Sequence, residues 1–179
     1  MDVPELRGSR VTLRALLPSD RGARIALGRD PEFVRLNGGD ASTLRPFTEA
    51  DADRWFRGRG DSLRWAIVHE AQLVGEIRLD RLDEANRSAR LAMGIYAPTH
   101  RGRGFGTEAA RLVLDHAFGE LALHRVDLNV LEFNEGAMRL YERLGFRRDG
   151  VLRHTVLVGG DWLNDVRMSL LEDEHRDAR

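Results

Sequence analysis

The chain contains no cysteine and no lysine, so every one of its 28 basic residues is arginine. Without cysteine there is no zinc–thiolate site, no disulfide and no covalent thiol intermediate. Without lysine there is no phosphate-loop lysine for nucleotide hydrolysis and no amine for a pyridoxal Schiff base, and both classes are excluded. No stretch approaches the roughly 18 apolar residues of a membrane span, and the start MDVPELRGSRVTLR has no apolar core of a signal peptide. The expectation is a cytoplasmic protein with no membrane partner. A formal net charge of -1 gives no global attraction to nucleic acid, so any phosphate binding must be local. The six histidines lack metal-ligand spacing, and no metal is expected.

What is present is an ordinary globular composition: 179 residues, 42% hydrophobic and 32% charged. That is enough chain for one domain over 1–179 with a core that needs no staples. No internal repeat or low-complexity segment interrupts it. SRVTLRAL alternates like a short strand. PSDRGARIALGRDPEFVRL then places Ile25, Leu27, Phe33, Val34 and Leu36 at helical spacing after a polar start. NGGDASTLRP reads as loop, and Thr48 three residues before Asp51 forms a capping box that opens a second short helix. From Leu63 three strands follow as a meander: LRWAIVHE, a turn at Ala71-Gln72, LVGEIRLDRL, a polar corner DEANRS, and ARLAMGIYAP, which Pro98 stops. Helical spacing returns from Glu108 to Leu121, then HRVDLNVLE is a strand. Strand, loop, helix and strand make a crossover unit, which predicts that those two strands run parallel. NEGAMRLYERLGF reads as a helix with Asn134 as N-cap and Gly145 just past its end. Two strands, about Arg147–Val158 and Trp162–Leu171, are joined by a turn at Gly159-Gly160-Asp161, and the tail EDEHRDAR is solvated.

The stretch THRGRGFGTEAARL puts Gly102, Gly104 and Gly106 directly before a helix. A dinucleotide fingerprint is the first reading to test, and its spacing fails: G-x-G-x-G stands where G-x-G-x-x-G is required, and Asp127 lies inside a strand rather than at its end. The stretch fits R-x-x-G-x-G, spelled by Arg101, Gly104 and Gly106. Glycines let backbone approach a pyrophosphate, and the first-turn N–H groups and helix dipole favour an anion by about 0.3–1 kcal/mol.

This loop resembles the acyl-CoA signature of the GNAT superfamily of N-acetyltransferases. A second block, Asn134 to Phe146, matches that family's N-x-x-A-x-x-x-Y-x-x-x-G-F segment at Asn134, Ala137, Tyr141, Gly145 and Phe146. LRGSRVTLRAL, ANRSARLAMGIYAP and RDGVLRHTVLVGGDWLNDVRMSLL extend the likeness along the chain, toward the RimJ/RimL-like branch of ribosomal-protein N-terminal acetyltransferases and relatives such as spermidine N-acetyltransferase. The resemblance implies an α/β (α+β) fold with a mixed, mostly antiparallel central sheet flanked by helices, in which two splayed parallel strands form the acyl-CoA cleft. It implies acetyl-CoA as cosubstrate and direct transfer to a primary amine of a protein N-terminus or a small molecule such as a polyamine or aminoglycoside. A non-catalytic CoA-binding module is the alternative of another class, and a homodimer is the common state of relatives.

Carried residue by residue, the resemblance gives the backbone of Met93, Gly94, Ile95 and Tyr96 the pantetheine arm and the thioester carbonyl. It gives Arg101, Gly102, Arg103, Gly104, Phe105, Gly106 and Thr107 the phosphates, and Asn134 the pantetheine side of the cleft. Tyr141 is the candidate general acid, because a phenol of pKa about 10 is protonated at neutral pH yet comparable in acidity to a departing thiolate. The base is not identified. Many relatives carry a glutamate where this chain has Ala92. Glu76, Asp80 and Glu132 are the carboxylates left, each otherwise a solvated strand residue, with His100 and His154 beside them. Trp55, Trp65 and Trp162 are assigned to the core or the acceptor side. Glu76, Asp80, Asp83 and Glu84 form an acidic cluster suited to a cationic amine or to surface solvation.

Overall fold

Left-handed backbone at Glu70 and Ala71, φ 46 and 64, makes a two-residue reversal between β3 (Leu63–His69) and β4 (Gln72–Asp83). The turn therefore sits one residue earlier than the alternation predicts. In the computed structural model, which describes residues 3–58 and 62–177, these strands join β1 (Leu6–Arg7), β2 (Thr12–Arg14), β5 (Ser88–Ile95), β6 (Arg125–Leu131), β7 (Arg147–Val158) and β8 (Asp161–Leu171). They form an eight-stranded sheet in the order β1-β2-β3-β4-β5-β6-β8-β7. The pairs are antiparallel except β5 with β6, which run parallel as the crossover requires. That parallel ladder is brief, from Ser88↔Arg125 to Arg90↔Asp127. Beyond Arg90 the two strands run on without pairing to each other, so the sheet opens between Met93–Ile95 and Leu128–Leu131.

Alternation along β4 and β5 divides the sheet into two faces. Ile77, Leu79, Ala89 and Leu91 join Ala109, Ala110, Val113, Leu114 and Ala117 of α4 (Phe105–Phe118) in the larger core, with Met138 and Tyr141 of α5 (Glu135–Arg143). The opposite face carries a second, smaller cluster. Here α1 (Asp20–Leu27), α2 (Pro31–Leu36) and α3 (Glu49–Arg57) bring Ala23, Leu27, Phe33 and Trp55 against Ala66, Leu73 and Tyr96. Among the described residues no helix is long and apolar enough to cross a membrane.

Local chemistry explains where the helices depart from sequence spacing. The helical spacing that runs from Ile25 to Leu36 is broken: Gly28 ends α1 in left-handed backbone, φ 62, and Asp30 caps α2 with Pro31 in its first turn. The capping box of α3 forms as predicted, with Thr48 and Asp51 each accepting the other's backbone N–H. Helix α4 begins at Phe105 rather than Glu108, because Gly104, φ 82, supplies the entry turn. The tail forms α6 (Glu172–Asp177), none of whose residues is buried, and residues 178–179 lie outside the described residues.

Glu108 ties the β1–β2 corner to α4. Burial works against its charge, but the Arg10 N–H at 2.8 Å, the Arg10 guanidinium at 2.8 Å and the Ser9 hydroxyl at 3.2 Å outweigh it and hold the carboxyl below its usual range. Asp20 is likewise lowered: burial opposes its charge, and the Arg14 guanidinium and Leu17 N–H prevail. Between the folded and unfolded pKa of such groups the unfolded chain binds more protons. Their contribution is therefore complete above the unfolded value, about 4, and is lost as pH falls through the folded one. Urea midpoints are expected to hold steady from about pH 7 to 5 and to fall below about pH 4. Glu108→Gln should shallow that fall, and a slope equal to the parent's would show that Glu108 does not carry it.

Candidate active site

The opening between β5 and β6 is polar because of its backbone. The Tyr96 N–H donates to the Val74 carbonyl at 3.0 Å, which fixes the phase of the antiparallel ladder. Met93 and Ile95 therefore turn N–H and C=O toward the opening, while Gly94, opposite Glu76, turns them to β4. The Ile95 carbonyl accepts from Arg101 Nε at 3.2 Å and the Tyr96 carbonyl from Arg101 Nη2 at 3.0 Å. Of the four backbone positions assigned to the acyl arm, Tyr96 is thus occupied on both sides and Met93 is the one left fully open. Gly94 is glycine for another reason: a Cβ there would lie 2.5 Å from the Phe33 ring.

Directly beyond β5 the chain makes a short 3-10 turn, Pro98–His100, and then the glycine loop. Gly102 and Gly104 adopt φ 70 and 82, which glycine alone takes without strain. Gly104 sits at the N-cap of α4 and has no side chain to cap it. The N–H groups of Phe105, Gly106 and Thr107 have no partner among the described residues. By contrast α2, α3 and α5 are capped by Asp30, Thr48 and Asn134. Free donors at the positive end of a helix of this length suit an anion. Phe105 anchors the site: it is buried, its ring 4.4 Å from that of His69, with the Arg103 guanidinium 5.0 Å above it. A Cβ on Gly106 would stand 3.3 Å from Met93 Cε and 3.6 Å from Leu140 Cδ1, so the first turn of α4 lies against the open stretch of β5 and against α5. Thr107 is half-buried on the same turn.

The Arg101 side chain is engaged within the protein. Its guanidinium is ion-paired with Asp30, bonded to the Ile95 and Tyr96 carbonyls and stacked near Phe33, so it clamps the loop to α2. Sequence adjacency could not reveal a partner 71 residues away. Asn134 is also spent within the protein: its oxygen accepts the Ala137 N–H at 3.1 Å, and its amide donates to the Leu36 carbonyl at 3.4 Å. Tyr141 is buried, its ring edge-on to Phe146 at 5.5 Å. Its hydroxyl has no hydrogen-bond partner among the described residues and is not among the side-chain atoms sealed from solvent. Burial pushes its phenol above the ordinary value.

The carboxylates read as solvated are not alike. Glu76 lies beneath α3, accepting from Trp55 Nε1 at 2.7 Å, Arg64 at 2.8 Å and Arg78 at 3.1 Å. Asp80 pairs with Arg78 at 2.8 Å, so these two members of the acidic cluster are matched by arginine, while Asp83 accepts from Asn86. Glu132 is exposed and accepts from Asn164. His100 has a buried, unpartnered Nδ1, and His154 stacks on the exposed Trp162 of the β7–β8 hairpin. Trp65 is core. Sequence reasoning missed Arg24, whose guanidinium lies between Phe47 at 3.9 Å and Tyr96 at 4.1 Å. It also missed the Trp55 N–H shared between Glu76 and the Tyr96 hydroxyl. An arginine on a helix gives no signal of burial when the rings that cover it come from distant segments.

Residues 10–147 match the family model described as an acetyltransferase (GNAT) domain. The chain is 41% identical over 103 residues to the "Probable N-acetyltransferase YjcK" of Bacillus subtilis, covering 58% of this chain and 57% of that protein. It is 30% identical over 112 residues to spermidine N(1)-acetyltransferase of Escherichia coli, covering 63% and 60%. The matched stretch thus spans less than two thirds of either relative. Over the whole fold, a crystal structure of spermidine N-acetyltransferase from Vibrio cholerae in complex with CoA and spermine aligns with a TM-score of 0.79 at 25% identity, over 94% of this chain and 99% of that one.

Proposed function

The chain belongs to the GNAT acetyltransferase family, and from that membership we propose that it is an acetyl-CoA-dependent N-acetyltransferase, acting as a single domain over 1–179. The observation that carries this is the uncapped N-terminus of α4 standing against the unpaired end of β5. The free N–H groups of Phe105, Gly106 and Thr107 take the pyrophosphate, and Met93 offers an N–H and a C=O to the acyl arm. The acceptor nitrogen attacks the thioester carbon, the C–S bond breaks, and the Tyr141 hydroxyl protonates the departing sulfur; the surplus ammonium proton leaves to water, and the Tyr141 phenolate regains a proton from water. Cysteine is absent, which agrees with transfer that passes through no acyl-enzyme.

The acceptor we assign is a primary amine, with a protein N-terminal amine first, in keeping with the RimJ/RimL-like pattern of the sequence. A polyamine is the second reading, favoured by the relatives named spermidine acetyltransferases. Calorimetry against acetyl-CoA, CoA, NAD and ATP, with thiol release measured across an amine panel, tests the proposal. Selective acetyl-CoA binding with thiol release is expected. Preference for NAD or ATP would sink the reading, and CoA binding without release from any amine would indicate a binding module.

A further inference from the structure

A cavity of about 820 Å³ opens beside the last turn of α3, over β3 and β4. Among the described residues its lining includes four arginines, Arg54, Arg64, Arg78 and Arg81, against two carboxylates, Glu76 and Asp80. Both carboxylates are already committed: Glu76 to Arg64, Arg78 and the Trp55 N–H, Asp80 to Arg78. Arg54 leans on Asp51, which it shares with Arg29 and Arg45. Among the described residues that line the cavity, positive charge is therefore in excess.

Arg81 is the unusual member. It adopts φ 53, a conformation rare for a side chain of its size, where the β4–β5 register slips between Asp80 and Asp83. Such bulges re-aim side chains. Arg81 is exposed and has no ion pair, hydrogen bond or ring contact among the described residues. Strained backbone thus holds an unneutralised guanidinium at the rim of a cavity. Arg78, three residues back, stands in register with Ala92, where the methyl side chain leaves room beside the open stretch of β5. Three residues of strand and one strand spacing separate Arg81 from that position, about 10 Å.

We propose that the acceptor carries an anionic group, carboxylate or phosphate, seated at Arg81 beside Arg78, while its amine passes Ala92 to the opening between β5 and β6. This rests on the acetyl-transfer reading and names its substrate class. A polyamine would bring cations to a cavity whose carboxylates are already paired, whereas an anion would give Arg81 a partner and offset the excess charge. An amine that reaches past Ala92, more than about 10 Å along the sheet from Arg81, fits a short peptide with a free C-terminal carboxylate, or a protein N-terminus with an acidic residue a few positions behind it.

The test measures thiol release by the full chain at saturating acetyl-CoA with acceptors matched except for the anion. One arm compares short peptides bearing a free or an amidated C-terminus. A second compares longer amidated peptides with Asp or Asn near the N-terminus, and a third uses spermidine. The anionic member of a pair is expected to have kcat/KM at least about tenfold higher, equivalent to about one charge-assisted hydrogen bond. The responding pair identifies the source of the anion. Arg81→Asn, which tolerates left-handed backbone, should bring that ratio toward one, and Arg81→Lys should restore part of it. Equal kcat/KM within both pairs, spermidine as the best acceptor, or a ratio untouched by Arg81→Asn in a folded protein each overturns the inference while leaving acetyl transfer standing. Acetyl-CoA that neither binds nor is consumed with any amine overturns the acetyl-transfer reading, and this inference with it.

Discussion

Tyr141→Phe is expected to lower kcat by roughly 10²–10⁴ while acetyl-CoA affinity changes by no more than about twofold. The geometry makes this substitution unusually clean. Deleting a buried hydroxyl normally strands its partner, but the Tyr141 hydroxyl has none among the described residues, and the edge contact with Phe146 survives in a phenyl ring. Unfolding midpoints should therefore match the parent, so a fall in turnover reports the lost proton and nothing else. Burial raises the phenol above its ordinary value of about 10, so it keeps its proton throughout the range from about pH 6 to 10. The parent should then show no alkaline limb from this group below about pH 10, and a limb there must come from another residue. The measurement is kcat for both proteins across that range, with single-turnover data to show that chemistry limits the rate. A variant that turns over like the parent at every pH makes Tyr141 a packing residue.

Much of this architecture is legible wherever a short-range rule decides the backbone. The reversal at Gly159 and Gly160, φ 57 and 97, joins β7 to β8 where the glycine pair predicts it. Asn134 caps α5 and Gly145, φ 95, follows its end, because caps depend on residues a few positions apart. The parallel pairing of β5 and β6 follows from the handedness and length of a crossover. The two residues of β1 were beyond reach, since so short a strand has no period to detect. The break between α1 and α2 was written in Gly28 and Pro31, yet the apolar spacing ran through both and hid it.

Charge was the hardest property to read. Glu76 and Asp80 alternate with Ile77 and Leu79 as a half-solvated strand would, and the sequence cannot say that α3 covers the polar side of β4. Their alternation also placed arginines 64 and 78 on the same face, so Glu76 and Asp80, which looked acidic along the chain, are paired with arginine in space. Arg101 illustrates the same point in reverse: beside three glycines its charge reads as one for phosphate, while in the fold Asp30 and the Ile95 and Tyr96 carbonyls hold its guanidinium. The backbone of the glycine loop was readable because glycine spacing is local. The side-chain part was not, because ion pairs are settled by elements that meet only in the fold.

Gly106→Val should weaken acetyl-CoA binding by about 10²-fold in calorimetry while the protein stays folded. Gly106 has no positive φ, so a β-branched residue meets no backbone prohibition there. Its obstacle is space: a Cβ already lies 3.3 Å from Met93 Cε and 3.6 Å from Leu140 Cδ1, and the added methyls must push into the mouth of the opening or displace those side chains. Either outcome moves the first turn of α4 away from a bound pyrophosphate. Losing one or two charge-assisted hydrogen bonds at about 1.5–3 kcal/mol each amounts to roughly 10- to 10⁴-fold in affinity. Gly102→Ala is the control for backbone strain, since Gly102 has φ 70 and open space around a Cβ, so its cost comes from conformation without obstruction. Gly106→Val that binds acetyl-CoA as tightly as the parent, with an unchanged unfolding midpoint, would show that the first turn of α4 is not where the cosubstrate is held. A loss shared equally by Gly102→Ala would instead trace the effect to the conformation of the loop rather than to close approach at Gly106.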